Sequence, residues 1–317
     1  MFSSKKLDPT PLGVPLGDLQ AALAPTSIKA SLMVNGLLAR HEHYTIRIEV
    51  VPPGNRESEN GPIRAVVQMI TELPSKFVTM LKGREADATA AFNAFAGLGA
   101  LYPDEGTIRA GSRLTIYEKD DAWKKLHLPL LFVTTVCGTE AILGGVRRVM
   151  GKEGNRGGDS EWTEDDFEQV ENYLSRLFLC TRGGLGLTAE FGLTEGAICS
   201  TAGTRNTALF QMMADQPHPE LGGGLFCVLQ MPHQVTDEKD LQKVCMQLNK
   251  LEMAPQDLTP HFGAWCPGKL GYNPAYVSFL PNALHSVAPG IALNYAIWAI
   301  FRAKWASAKL EAIGLHL

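Results

Sequence analysis

At 317 residues, with 45% hydrophobic and 20% charged side chains, the chain has room for two domains of ordinary size and lacks the composition of a disordered protein. A core of this size folds without disulfides. The formal net charge of −4, with basic pairs only at Lys5-Lys6, Lys124-Lys125 and Arg147-Arg148, argues against nucleic acid as a partner, because phosphate binding needs a clustered positive surface.

In chain order, residues 1–25 carry Pro9, Pro11, Pro15 and Pro25 and read as an extended arm. The first eight residues lack the apolar core of a signal peptide. Thr26 or Ser27 is placed to cap a helix to about His41, with Ile28, Leu32, Leu37 and Leu38 as its apolar positions. Residues 44–50 alternate with period two, which predicts a half-buried strand ended by Pro52-Pro53-Gly54-Asn55. Further strands are expected over 63–71 and 76–81, and an Ala-rich helix over 86–101. Two short strands, 106–109 and 114–117, flank a Gly111-Ser112 turn, and a long apolar helix starts near Leu128.

The Gly- and Asn-rich run within 151–162 reads as a linker. Thr163 with Asp166 three residues on is close to a capping box. Behind it Phe167, Val170, Tyr173, Leu174, Leu177 and Phe178 form one apolar helical face. Strands are predicted near 185–192, 206–213 and 224–231. Thr236 caps a helix striped by Leu241, Val244, Cys245, Leu248 and Leu251. Two strands, 261–265 and 276–280, and a helix from about Pro289 complete the chain.

The second half therefore reads helix, three strands, helix, two strands, helix, and the first half reads the same way. This predicts an arm at 1–25, a first unit at 26–150, a linker at 151–162 and a second unit at 163–317, with fold class α+β. The element order, with Phe262-Gly263-Ala264-Trp265 and Val277-Ser278-Phe279-Leu280-Pro281-Asn282, resembles the type III secretion chaperone-like fold shared with the YbjN-like family of bacterial sensory-transduction regulators. The resemblance covers nearly the whole chain in two copies, whereas members of the fold usually carry one. It implies tandem α-β-β-β-α-β-β-α units, each an antiparallel sheet with helices on one face, paired as a pseudo-dimer. The function it implies is a non-enzymatic protein-binding module, chaperone-like or regulatory. It carries no functional residue onto this sequence.

Individual residues carry little chemistry. Gly183-Gly184-Leu185-Gly186 lacks the Lys-Ser/Thr ending of a P-loop and reads as a turn, as does the flexible Gly222-Gly223-Gly224 loop. The eight histidines, His41 and His43, His218 and His233, His261 and His285 among them, show no metal-ligand spacing and read as exposed or locally bonded. The acidic residues at 161–166 suit a helix N-terminus. No Ser or Cys stands in a nucleophile elbow, so no catalytic residue, cofactor or metal ligand is assigned. Cys137, Cys180, Cys199, Cys227, Cys245 and Cys266 form no CxxC pair and read as free thiols of a reducing cytoplasm. The apolar runs at 126–146 and 283–301 read as buried or interface helices, not membrane spans.

Trp265 and the stripe Tyr295, Trp298, Phe301 and Trp305 are the candidate interface residues. From Ala288 to Phe301 the last helix is apolar nearly all round apart from Asn294, so it needs cover on both sides, from the other half of the protein or from a second copy in a homo-oligomer. The alternative function is an enzyme or small-ligand-binding protein with its site in a cleft between the units.

Overall fold

Val34-Asn35 turns the chain where a helix was expected. In the computed structural model, Lys29–Met33 (β1) and Gly36–Arg40 (β2) form an antiparallel hairpin with Met33 opposite Gly36. Asn35, the second loop residue, takes a left-handed φ of 56°, a conformation that Asn adopts more readily than most residues. Gly36 is required at the next position, since a Cβ there would lie 2.4 Å from the Ile48 carbonyl oxygen. The arm is also partly helical: Leu16–Leu23 (α1) follows Pro15 and buries Leu16, Leu19 and Leu23, the i, i+3, i+7 stripe that proline-rich composition had obscured. Residues 7–53, 57–58, 61–96, 99–118, 121–149, 162–177, 182–183, 188–193, 208–218, 221–254, 261–268, 272–288 and 290–315 are described. The linker expected at 151–162, most of the Gly183–Gly186 turn, Cys180 and Cys199 fall outside them.

The strand predicted over 44–50 is Thr45–Val51 (β3), and its burial alternates residue by residue. Glu57–Ser58 (β4) pairs with Gly61–Glu72 (β5). The third strand expected near Lys76 is instead the helix Ser75–Leu81 (α2), opened by Pro74 and burying Phe77 and Leu81. Glu85–Ala96 (α3) is the expected Ala-rich helix. Next come Ala100–Asp104 (β6) and Thr107–Tyr117 (β7).

The turn between these two strands lies at Glu105-Gly106, both at positive φ, and is braced by Arg109 Nη1 at 2.5 Å from Asp104 Oδ2. Gly111-Ser112, expected as a turn, sits inside β7. A Cβ on Gly111 would meet Met253 at 2.8 Å and the Met69 carbonyl at 3.0 Å, so the glycine serves close packing. Asp121–Val149 (α4) is the long apolar helix, with Pro129 in its first half.

Glu164–Leu177 (α5) buries Phe167, Val170 and Leu174 as its stripe predicts. Arg182–Gly183 (β8), Thr188–Leu193 (β9), Ala208–His218 (β10) and Gly222–Gln230 (β11) follow. The triple glycine is not a flexible loop. It enters β11, where a Cβ on Gly224 would lie 2.4 Å from the Leu280 carbonyl oxygen. Glu238–Met253 (α6), Ala264–Pro267 (β12), Pro274–Pro281 (β13), Asn282–Val287 (α7) and Ile291–Ala312 (α8) complete the chain.

The fold is α+β, with all described strand pairs antiparallel. One sheet has the order β1-β2-β3-β5-β7-β6, with β4 beside β5, and the other β12-β13-β11-β10-β9-β8. Each is a meander to which two later strands are added, the longer and later of them next to the meander's last strand. Two compact units are distinguished. The first comprises residues 1–85, 101–136 and 250–261, and the second 86–100, 137–249 and 262–317. Neither unit is a single stretch of sequence.

Cys137, Cys227, Cys245 and Cys266 are free thiols. Burial pushes Cys227 and Cys245 well above the ordinary thiol range, and Cys266 up to about 12. Few thiolates form at these three sites near neutral pH. Iodoacetamide at pH 8 is therefore expected to leave all three unmodified in the native protein and to alkylate them in urea, as read by peptide mass mapping. Native labelling at the urea rate would contradict the packing of β11, β12 and α6.

Candidate functional site

Two constellations stand out, one in each unit. In the first unit, Gln68 on β5 and Arg113 on β7 are direct cross-strand partners, so their side chains share one face of the sheet. Both are buried, at 3% and 0% exposure. A helix leaves its last carbonyls without intrahelical donors. Here the two side chains supply them: Gln68 Nε2 donates to the Met253 carbonyl at 2.7 Å, and Arg113 Nη1 to the Ala254 carbonyl at 2.8 Å. The guanidinium also suits the negative end of the helix dipole.

Glu252, in that last helical turn, would be disfavoured by the same dipole. His261 Nδ1 lies 2.5 Å from its Oε2 and offsets this. His261 is in turn bound to Arg113 through the backbone, with N–H to carbonyl contacts of 3.1 and 2.8 Å in the two directions. A carboxylate-oriented imidazole is the arrangement of a general base. At 0% exposure for Arg113, Glu252 and His261, however, it is closed to solvent in this conformation, where it clamps Glu252, Met253, Ala254 and His261 to the sheet. Contrary to the exposed or local histidines expected, His261 and His233 are fully buried.

In the second unit, α8 carries the aromatic stripe. Tyr295 is buried at 2%, and Trp265, on β12, at 0%. Trp265 is held by Asn249, whose Oδ1 accepts from its N–H and whose Nδ2 donates to its carbonyl, both at 2.8 Å. Trp298 and Trp305 are half-buried. Trp298 stacks on Phe262 at 5.1 Å, and Trp305 lies 6.5 Å from Trp265. Phe301 faces outward at 37% exposure. The structure thus separates the expected interface residues into a buried pair, Trp265 and Tyr295, and an outer line, Trp298, Phe301 and Trp305.

A smaller arrangement ties α5 to α7. Asp166 Oδ2 accepts from the Thr163 N–H and hydroxyl at 2.8 and 3.0 Å, the reach-back half of the expected capping box. His285 Nε2 lies 3.1 Å from the same oxygen, and its ring packs edge-on against Trp162 at 5.0 Å.

Gln68, Arg113 and Glu252 were not singled out from the sequence. Their signal is a long polar side chain at an inward position of an apolar strand or helix, which a buried acceptor must answer. Among the described residues, no group of three His, Cys, Asp or Glu side chains is placed to hold a metal ion, and no helix is long and apolar enough to cross a membrane. Comparison of the chain with family models, curated proteins and solved structures gives no match.

Proposed function

We propose that the chain is a non-enzymatic protein-binding module, chaperone-like or regulatory, made of two copies of one antiparallel unit and acting in the cytoplasm. The observation that carries this reading is the outer line of α8. Trp298, Phe301 and Trp305 recur at i, i+3 and i+7, within about 60° of arc at 3.6 residues per turn. Bulky aromatic side chains concentrated at a surface are the usual anchors of protein interfaces. The common winding of the two sheets supports the reading as two copies, and with it the resemblance to the type III secretion chaperone-like fold.

The test is the aggregation of reduced insulin B chain, followed by light scattering. The wild-type protein at equimolar ratio is expected to delay aggregation. Phe301→Asp should lose most of that protection while keeping the wild-type thermal midpoint, because Phe301 is exposed. Absence of protection by the wild type, or full protection by the variant, would remove the basis of the reading.

A further inference from the structure

We infer that the carboxamides of Asn249 and Gln20 stand in for absent neighbouring strands, closing the outer edges of β12 and β1 against pairing with another copy of the chain. This goes beyond the protein-binding reading above and does not depend on it. An edge strand presents a row of unpaired N–H and C=O groups, a template for a strand from another molecule. Among the described residues the first sheet ends at β1 and β6, and the second at β12 and β8. In an antiparallel pair, successive residues turn their backbone groups alternately to the partner strand and to the free edge. At β12 the outward residue is Trp265. Its N–H donates to Asn249 Oδ1 and its carbonyl accepts from Asn249 Nδ2, both at 2.8 Å. One side chain on α6 thus makes both bonds that a paired strand would make. Pro267, two residues on and on the same side, has no N–H to offer.

The same device recurs at β1. Met33 and Gly36 are opposite each other across the hairpin loop, so Met33, Ser31 and Lys29 bond inward to β2, and Leu32 and Ala30 face the edge. Gln20 Nε2, on α1, donates to the Ala30 carbonyl at 3.1 Å. Lys29 is exposed on this strand, a charge that also resists strand addition. The other two edges are blunted by simpler means: β6 contains Pro103, and β8 is two residues long. Any partner is then held by side chains and not as an added strand.

The experiment compares the full chain with Asn249→Ala and Gln20→Ala by sedimentation velocity over a wide range of concentration. The infrared band of intermolecular antiparallel sheet is the second readout. The wild type is expected to form no species that carries this band. Asn249→Ala frees one donor and one acceptor at the centre of β12 and loosens that turn of α6. It should self-associate roughly tenfold or more tightly than the wild type, with the band growing in step. Gln20→Ala removes one bond at a half-buried site and should associate less strongly, with the wild-type circular dichroism spectrum and thermal midpoint. It carries the test if Asn249→Ala does not fold. Phe167→Ala, a truncation in the buried face of α5, controls for general loss of stability. Equal association of Phe167→Ala and Asn249→Ala at the same fraction unfolded would overturn the proposal. So would edge variants that keep the wild-type size at every concentration, or a wild type that itself shows the intermolecular band.

Discussion

Trp265→Ala is expected to lower stability by roughly 3–5 kcal/mol, the usual loss on truncating a buried tryptophan. The side chain is 0% exposed and packs edge-on against Tyr276 at 5.3 Å. Tyr276 in turn accepts a hydrogen bond from the Phe262 N–H at 3.0 Å and lies 3.8 Å beneath the buried Arg302 guanidinium. The cavity would thus open among side chains that are themselves constrained, and collapse to fill it is limited. At about 2–4 °C per kcal/mol for a unit of 150–250 residues, the thermal midpoint should fall by about 6–20 °C. Trp265→Phe keeps part of the volume and should cost clearly less. Far-UV circular dichroism during heating is the measurement, since removing an indole changes the fluorescence signal itself. A wild-type midpoint for Trp265→Ala would show that β12 does not pack as described.

Glu252→Ala should also cost stability, through a buried hydrogen bond. Removing the carboxylate takes this partner from the buried His261 ring, and a buried polar group that loses its partner costs roughly 1–3 kcal/mol, more where a charged group is involved. Here the carboxylate is buried 2.5 Å from His261 Nδ1. Glu252→Gln keeps the shape and an acceptor oxygen and should lose less than half as much. Amide hydrogen exchange separates this from a general loss of stability. The N–H groups of Arg113 and His261, which pair with each other across the bridge, should lose more protection than those of β3. Uniform loss across β3 and the bridge would mean that Glu252 does not act through the clamp.

The sequence shows its regular parts where one period dominates. The alternation at Thr45–Val51, the Phe167/Val170/Leu174 stripe and the apolar C-terminal helix appear where expected. It misleads where two signals compete. Ile28 and Leu32, four residues apart behind Thr26-Ser27, read as a capped helix, but Asn35 at positive φ followed by a close-packed Gly36 makes a hairpin. Gly111 and Gly224 look like turn residues and are close-packing residues, a distinction that depends on which backbone approaches them. The clamp was not legible because its members are remote in sequence and each is ordinary in its own window. The outer aromatic line was legible as a stripe, but which of its rings face solvent depends on Phe262 and Trp265, outside the helix.

The hydrogen bond from Gln68 to Met253 spans 185 residues, which has a consequence for biosynthesis. A ribosome adds about 5–20 residues per second, so Gln68 emerges roughly 9–37 s before its acceptor exists. During that interval Gln68 and Arg113 lack the Met253 and Ala254 carbonyls that they bind. Late translation, not the early emergence of β1 to β7, sets the moment at which this part of the protein can close. Nascent chains stopped before His261 should consequently be the most protease-sensitive and the most dependent on cellular holding factors.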